Sequence, residues 1–290
     1  MAERQNLLAE QRRALILDEV RRRGGVRVNE LTQRLGVSDM TVRRDLDALA
    51  RLGALEKVHG GAVPVEGTEP TGHEPGFEEK TGREPAAKEE IARAAASLVT
   101  PGSAVALSGG TTTYALARVL AGVPDLTVVT NSVRVADVLH TGRAPDGAEA
   151  GGPTVVLTGG VRTPSDSLVG PVADRAIAAL HFDLLFLGVH GISAEAGLST
   201  PNLAEAETNR RLVASARRVV VVADHTKWGT VGLSSFASLS EVDVLVTDAG
   251  LPAVTRAELS ELPLRLVVAG EEGSAPPDTA DETYRASRAG

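Results

Sequence analysis

The chain contains no cysteine. Disulfide frameworks, thiolate metal sites and cysteine nucleophiles are thereby excluded. Aromatic side chains are almost as scarce, with four Phe, two Tyr and one Trp among 290 residues. A binding site built from stacked rings is not expected. Long apolar runs are missing too. Stretches such as Val219–Ala223 are strand-sized, far short of the roughly 18 residues that span a bilayer. The opening MAERQNLLAEQRR has acidic residues and no apolar core, so it does not read as a secretory signal. A soluble cytoplasmic protein, without membrane association, is the expectation. The six histidines, at 59, 73, 140, 181, 190 and 225, show no close ligand spacing. Neither a metal nor another cofactor is expected.

Apolar residues make up 42% of the chain, enough for real cores, and the length suggests about two domains. Charge is divided unevenly. Residues 1–60 carry 12 basic and 9 acidic side chains, and the remainder 18 basic and 29 acidic. A basic head thus precedes a body of net charge −11. Such asymmetry points to a nucleic-acid interaction confined to one end.

In the head, Leu7, Leu8, Ala14, Leu15, Leu17 and Val20 recur at helical spacing, which predicts an amphipathic helix from about residue 6 to Arg23. Gly24 and Gly25 stop it. A short helix follows over about Asn29–Leu35, then a turn at Gly36. Ser38 is placed to cap a third helix, about Asp39–Leu52, whose buried face is Val42, Leu46 and Leu49. This order is a helix-turn-helix, whose second element enters the major groove by its N-terminal residues. Asp39, Met40, Thr41, Arg43 and Arg44 fall outside the buried stripe. Thr41 suits a phosphate or base, and arginine can fork onto guanine O6 and N7. Asp45 and Asp47 are expected to pair with Arg43, Arg44 or Arg51. After Gly53, ALEKVHGGAV reads as strand, turn and strand, a wing with Lys57 and His59 near phosphate.

The run LGVSDMTVRRDLDALARLGALEKVHGGAV closely resembles the N-terminal signature of the DeoR family of bacterial transcription regulators. The V-S-x-x-T-x-R-R-D-L segment and the H-G-G-A ending carry the match over residues 8–63. The resemblance implies a winged helix-turn-helix, residues 1–63, that binds double-stranded operator DNA. Residues 64–86, rich in Pro, Gly and Glu, show no apolar periodicity and read as a flexible or extended connector. The polar end of the chain, 271–290, reads as disordered.

Between them, residues 87–270 alternate short apolar strands with helices. The strands are expected at Ala104–Leu107, Leu126–Val129, Val155–Leu157, Leu184–Leu187, Val219–Val222, Val244–Val246 and Leu264–Val268. That alternation indicates an α/β domain with a parallel sheet covered on both faces, which binds ligands at the carboxyl ends of its strands. Five of those ends carry Gly or polar residues: Ser108–Tyr114, Thr130–Ser132, Thr158–Gly160, Gly188–Gly191 and Asp224–Lys227. The first opens a helix, whose N-terminus favours an anion. It is not a Walker A loop, because no Lys follows the glycines. Thr130–Ser132 also reads as a simple helix cap, and His190 as a hydrogen-bonded loop histidine.

This half resembles the DeoR-type sensor domain through GGTTTYALA, VVTNS, LTGG, FDLLFLGVHGI, NLAEAETNR and ADHTKWG. The resemblance implies a mostly parallel, Rossmann-like fold related to ribose-5-phosphate isomerase, and a phosphorylated sugar as effector. Carried over by residue, Gly110, Thr111, Thr112 and Thr113 would hold the phosphate. Thr130, Asn131, Gly159, Gly160 and Lys227 would line the sugar site, with Glu205 at its edge. Ser108 and His190 complete the candidate set, and both depart from the family pattern. Ser108 stands in place of an Asp, and His190 in place of a small or acidic residue. The leading expectation is a repressor of carbohydrate-metabolism genes, acting as a dimer or higher homo-oligomer and not as an enzyme. A sugar-phosphate isomerase using Asp183, Glu205, Glu207, Asp224 or Lys227 is the alternative. A phosphosugar-binding module without DNA function is a third.

Overall fold

A computed structural model of the chain describes residues 9–23, 25–51, 55–58, 60–63, 74–141 and 152–271. They fall into two compact units, divided between Arg83 and Glu84. The expected contributions of Leu7, Leu8, Gly24, Gly53 and His59, and of the tail from 272, lie outside the described residues.

The first unit begins with α1 (Ala9–Arg23), β1 (Val26–Arg27), α2 (Val28–Leu35) and α3 (Asp39–Arg51), followed by β2 (Glu56–Val58) and β3 (Gly61–Val63). The strands form one antiparallel sheet in the order β1-β3-β2. Gly36 adopts a left-handed φ of 65° and closes α2, its N–H donating to the Thr32 carbonyl. The Ser38 hydroxyl accepts from the Thr41 N–H at 3.3 Å, as a cap of α3 should. The core is Ile16, Val20, Val26, Val28, Leu31, Val42, Leu46, Leu49, Leu55 and Ala62. On α1 the buried stripe runs through Ile16 and Val20, while Leu15 is exposed. Val20 of the predicted stripe is buried as expected, whereas Ile16 takes the core position expected of Leu15.

Asp45 is buried, and it corrects the expected pairing. It accepts from Arg12 Nε at 2.5 Å and Arg13 Nε at 3.0 Å, both on α1, not from the arginines of its own helix. Glu19, also buried on α1, pairs with Arg34 of α2. Buried carboxylates therefore tie α1 to both α2 and α3.

The expected connector is partly helical, with α4 at Phe77–Thr81 and Phe77 buried. Next comes α5 (Pro85–Ala96), which starts earlier than an apolar pattern alone shows because proline is well placed at a first helical position. The body continues as β4 (Ala104–Leu107), α6 (Thr111–Leu120), β5 (Thr127–Thr130), α7 (Val133–Thr141), β6 (Thr154–Leu157), β7 (Val161–Arg162), β8 (Leu168–Val169), α8 (Pro171–Ala178), β9 (Leu184–Leu187), β10 (Gly191–Ser193), β11 (Gly197–Thr200), α9 (Leu203–Ser215), β12 (Val219–Val222), β13 (Ser234–Ala237), β14 (Val244–Thr247), α10 (Ala253–Ser260) and β15 (Arg265–Val268).

Seven of these strands make one parallel sheet in the order β15-β14-β12-β9-β4-β5-β6. Alternate residues go to opposite faces. Val105 and Leu107 pack with Ile91, Leu116, Leu120 and Leu139 of α5, α6 and α7. Ala106, Leu185 and Val221 pack with Ile177 of α8, Leu212 of α9 and Leu259 of α10. Two-sided burial explains why these strands are uninterrupted apolar runs. A second, antiparallel sheet, β10-β11-β13, lies outside the expected set. So does the β7-β8 hairpin.

Replacing Asp45 by Ala strips two charge-assisted hydrogen bonds from Arg12 and Arg13. The expected loss is about 2 kcal/mol of head stability. Amide exchange across α1 and α3 should accelerate, while exchange in β9 and β12 stays at its parent rate.

Candidate functional site

Because the strands are parallel, their carboxyl ends share one edge. The loops after β12, β9, β4, β5 and β6 are neighbours there, in that order. From β4 the chain steps outward to β5 and β6 on one side, and β9 and β12 lie on the other. The boundary between β4 and β9 is thus the topological switch point, where a crevice opens in folds of this kind.

Direct hydrogen bonds hold the loops at that boundary. Ser108 is buried, and its hydroxyl accepts from the Gly188 N–H at 2.9 Å, linking the β4 and β9 loops. Asn131 is buried after β5. Its Oδ1 accepts from the Gly109 N–H at 3.0 Å, and its Nδ2 donates to the Leu168 carbonyl at 3.0 Å. Thr130 donates to the Leu107 carbonyl at 2.7 Å and accepts from the Ser132 N–H at 3.0 Å. Thr113 donates to the Gly110 carbonyl at 3.0 Å. Ser108, Thr130, Asn131 and Thr113 therefore build the frame of the loops with their own polar atoms.

The start of α6 is different. Its cap is Gly110, with φ 153°, and no side chain caps the first turn. The N–H groups of Thr111, Thr112 and Thr113 sit where a helix has no internal acceptor for them. By contrast, Ser132 Oγ accepts from the Val135 N–H at the start of α7, and Asn202 Oδ1 from the Ala204 and Glu205 N–H groups at α9. Thr111 and Gly110 are half-buried, and Thr112 is buried.

The β7-β8 hairpin covers this region, and sequence reasoning missed it. Ser167 bridges to Ser132, and Leu168 donates its N–H to the Asn131 carbonyl at 2.6 Å. A Cβ on Gly109 would lie 1.8 Å from Ser167 Oγ, so only glycine fits beneath the hairpin. The tip of the hairpin is folded around Asp166, whose φ is +61°. Its carboxylate accepts from Arg134 Nε at 2.6 Å and Arg162 Nε at 2.7 Å. Burial pushes the Asp166 carboxyl up, but the two guanidinium groups outweigh it and hold the group below the usual range. The T-P-S-D-S run was the available signal, since Pro, Ser and Asp cluster in turns.

Of the other expected residues, Gly159 and Gly160 follow β6, and Gly160 lies against the Val169 backbone of the hairpin. His190 is half-buried in the β9-β10 loop that holds Gly188, and Glu205 is half-buried in the first turn of α9. Lys227 closes a short 3-10 turn after β12, which lies beside β9. Among the described residues Lys227 makes no ion pair or hydrogen bond through its ammonium. Two carboxylates fix the turn beneath it. Asp224 is buried and accepts from the Thr226 N–H at 3.2 Å. Asp248, beyond β14, accepts from the His225 N–H at 2.7 Å and meets His225 Nδ1 at 2.8 Å.

In the head, α3 presents Asp39, Met40, Arg43 and Arg44 outward, with Met40 64% exposed. Thr41 is half-buried against the Ser38 hydroxyl, 2.8 Å away. Arg43 is held by Asp39 one turn earlier. Lys57 of β2 is held by Asp47, 2.5 Å away. Arg44 has no such partner among the described residues. No group of residues able to hold a metal occurs among those described, and no described helix is long and apolar enough to cross a membrane.

Residues 12–68 match the family described as the DeoR-like helix-turn-helix domain, and residues 83–249 the DeoR C terminal sensor domain. The chain is 36% identical over 262 residues to a putative aga operon transcriptional repressor of Escherichia coli O157:H7, spanning 90% of this chain and 94% of that protein. It is equally identical, again over 262 residues, to the HTH-type transcriptional regulator GlpR of Haloferax volcanii, spanning 90% and 98%. Among solved structures, a ribose 5-phosphate isomerase of Methanocaldococcus jannaschii overlaps 50% of this chain and 55% of its own, with a TM-score of 0.35 and 14% identity. A likeness that weak bears on neither activity nor ligand.

Asp166→Asn tests the hairpin's anchor, because Asn tolerates the same left-handed backbone. A carboxyl held below its unfolded value, about 3.9, contributes stability above that pH. The contribution disappears as pH falls through the folded value. The variant should therefore melt lower than the parent at pH 7, and the difference should shrink as thermal melts are moved below about pH 4.

Proposed function

The chain belongs to the DeoR family of DNA-binding transcriptional regulators, and from that premise we propose that it is a repressor released from operator DNA by a phosphorylated sugar. The observation that carries the effector half is the open first turn of α6 at the switch point. Backbone N–H groups there, added to the positive end of the helix dipole, suit a dianionic phosphate. The body's net charge, −4 over residues 87–270, does not attract anions at long range, so attraction has to come from such local donors. Lys227 supplies a full positive charge from the far side of β9. Gly110, Thr111 and Thr112 hold the phosphate, while Gly159, Gly160, His190 and Glu205 surround the sugar. Ser108, Thr130 and Asn131 act behind them by fixing loop positions. The sugar phosphate is bound and not turned over, and the chain works where DNA is, in the cytoplasm, as at least a dimer held through its body.

In the DNA half, Arg44 is the reader ready for a base edge, and Arg43 must first leave Asp39. Lys57 and His59 of the wing, with Ser38 and Thr41, serve the phosphates. Arg44→Ala should weaken operator binding by about 1–3 kcal/mol, some tenfold or more in a gel-shift titration, without lowering the melting temperature. Arg43→Ala should cost less. Unchanged affinity in both variants would place the reading surface elsewhere.

The switch is tested with Thr112→Ala combined with Lys227→Ala. Losing a charged contact to phosphate costs roughly 1.5–3 kcal/mol. Operator affinity without effector should stay within about twofold of the parent. In a screen of pentose and hexose phosphates, the compound that releases the parent should fail to release the double variant at the same concentration. Equal release would move the effector site, and turnover of any compound would restore the isomerase reading.

A further inference from the structure

The sheet has two edges, and they are finished differently. At one edge β15 carries Arg265, and its Val267 and Val268 are buried. At the other, β6 reads Thr-Val-Val-Leu with no charge, and among the described residues it pairs with β5 alone. An uncharged edge strand with open backbone groups is a template for another strand, and soluble proteins normally blunt or cover one.

The register says which groups are open. The Thr154 N–H donates to the Leu126 carbonyl and the Thr158 N–H to the Thr130 carbonyl. Backbone groups alternate along a strand, so residues 154, 156 and 158 face β5. The N–H and C=O groups of Val155 and Leu157 face outward. Apolar side chains continue the edge. Val156 is 38% exposed, on the α8 face beside Val129. Val172 at the start of α8 is 64% exposed, and Val161 on β7 is 71% exposed. A Cβ on Gly159 would meet Val172 Cγ1 at 3.4 Å, so the end of β6 and the start of α8 are adjacent.

We propose that β6 is the seam on which two copies of this chain pair, antiparallel, about a two-fold axis through Val156. In that register Val155 and Leu157 of one copy exchange both hydrogen bonds with Leu157 and Val155 of the other. Val156 then faces its own counterpart in a non-hydrogen-bonded pair. A second copy is the occupant that fits for three reasons. The open groups are self-complementary in this register. The bodies carry like charge, a net −4 each over residues 87–270, so close approach is favoured where the surface carries no charge, as at Thr154–Leu157, Val161 and Val172. A helix-turn-helix head reads one half-site and needs a two-fold mate. The last reason rests on the DNA-binding reading above, and the first two do not.

The absence of cysteine makes the test direct. Val156→Cys places one thiol per chain on the axis. Cα atoms in such a pair lie about 4.5 Å apart, inside the range a disulfide tolerates. Mild oxidation of the full chain at micromolar concentration should convert it to a covalent dimer. Val254→Cys on α10, where the starting residue is more exposed (67% against 38% for Val156), should give only background. Val156→Lys sets two ammonium groups face to face. It should shift the mass in light scattering from dimer to monomer and weaken operator binding about tenfold or more. Equal cross-linking from both cysteines overturns the proposal, as does a Val156→Lys chain that remains dimeric. A cross-linked dimer that binds no operator would support the seam and overturn the repressor reading instead.

Discussion

A parallel sheet delivers the carboxyl end of every strand to the same edge, and much else in the body follows from that constraint. Strands β12, β9, β4, β5 and β6 are separated in sequence by helices and by a hairpin, yet their final residues become neighbours. Each loop need only be short and polar to contribute to a shared surface. The cost is that every strand must be buried on both faces, which explains the Val-rich runs and the division of the core into two apolar clusters.

At the shared edge, the same kinds of side chain do two jobs. Asn131 and Ser108 spend their polar atoms on the backbone of neighbouring loops. The first turn of α6 is left without a side-chain cap because a glycine stands there. Rigid hydroxyls and amides thus surround a small set of open backbone donors. For the proposed anion site this arrangement amounts to preorganisation, since its backbone donors sit on loops fixed by buried hydrogen bonds.

The seven strands of the main sheet were legible because each is a continuous apolar run bounded by helical periodicity. The head was legible because its Gly turn, Ser cap and Val42/Leu46/Leu49 stripe occur in a fixed order. Strands β7, β8, β10, β11 and β13 were not. They are two to four residues long, and β10, β11 and β13 are rich in Gly, Ser and Thr, so they carry no period to detect. The hydroxyls of the edge were legible as a group but not by role. A threonine that donates to Leu107 and one in the uncapped first turn of α6 look the same in sequence. Asp45 was misassigned for a related reason: helical spacing pairs it with arginines nearby, but burial turns it toward α1.

In the proposed DNA interface, the carboxylates beside the basic residues bear on selectivity. Asp39 holds Arg43, and Asp47 holds Lys57 and is lowered below its usual pKa by that ammonium. Non-specific binding to DNA is driven by free cations meeting phosphates and releasing their counterions. In this head Arg43 and Lys57 are already paired with carboxylates, which would lie beside the duplex in the proposed interface. An arbitrary sequence returns little for breaking the pairs, whereas a correct base edge returns a directed contact. On the proposed reading face, these exposed ion pairs would set a small threshold against non-specific DNA.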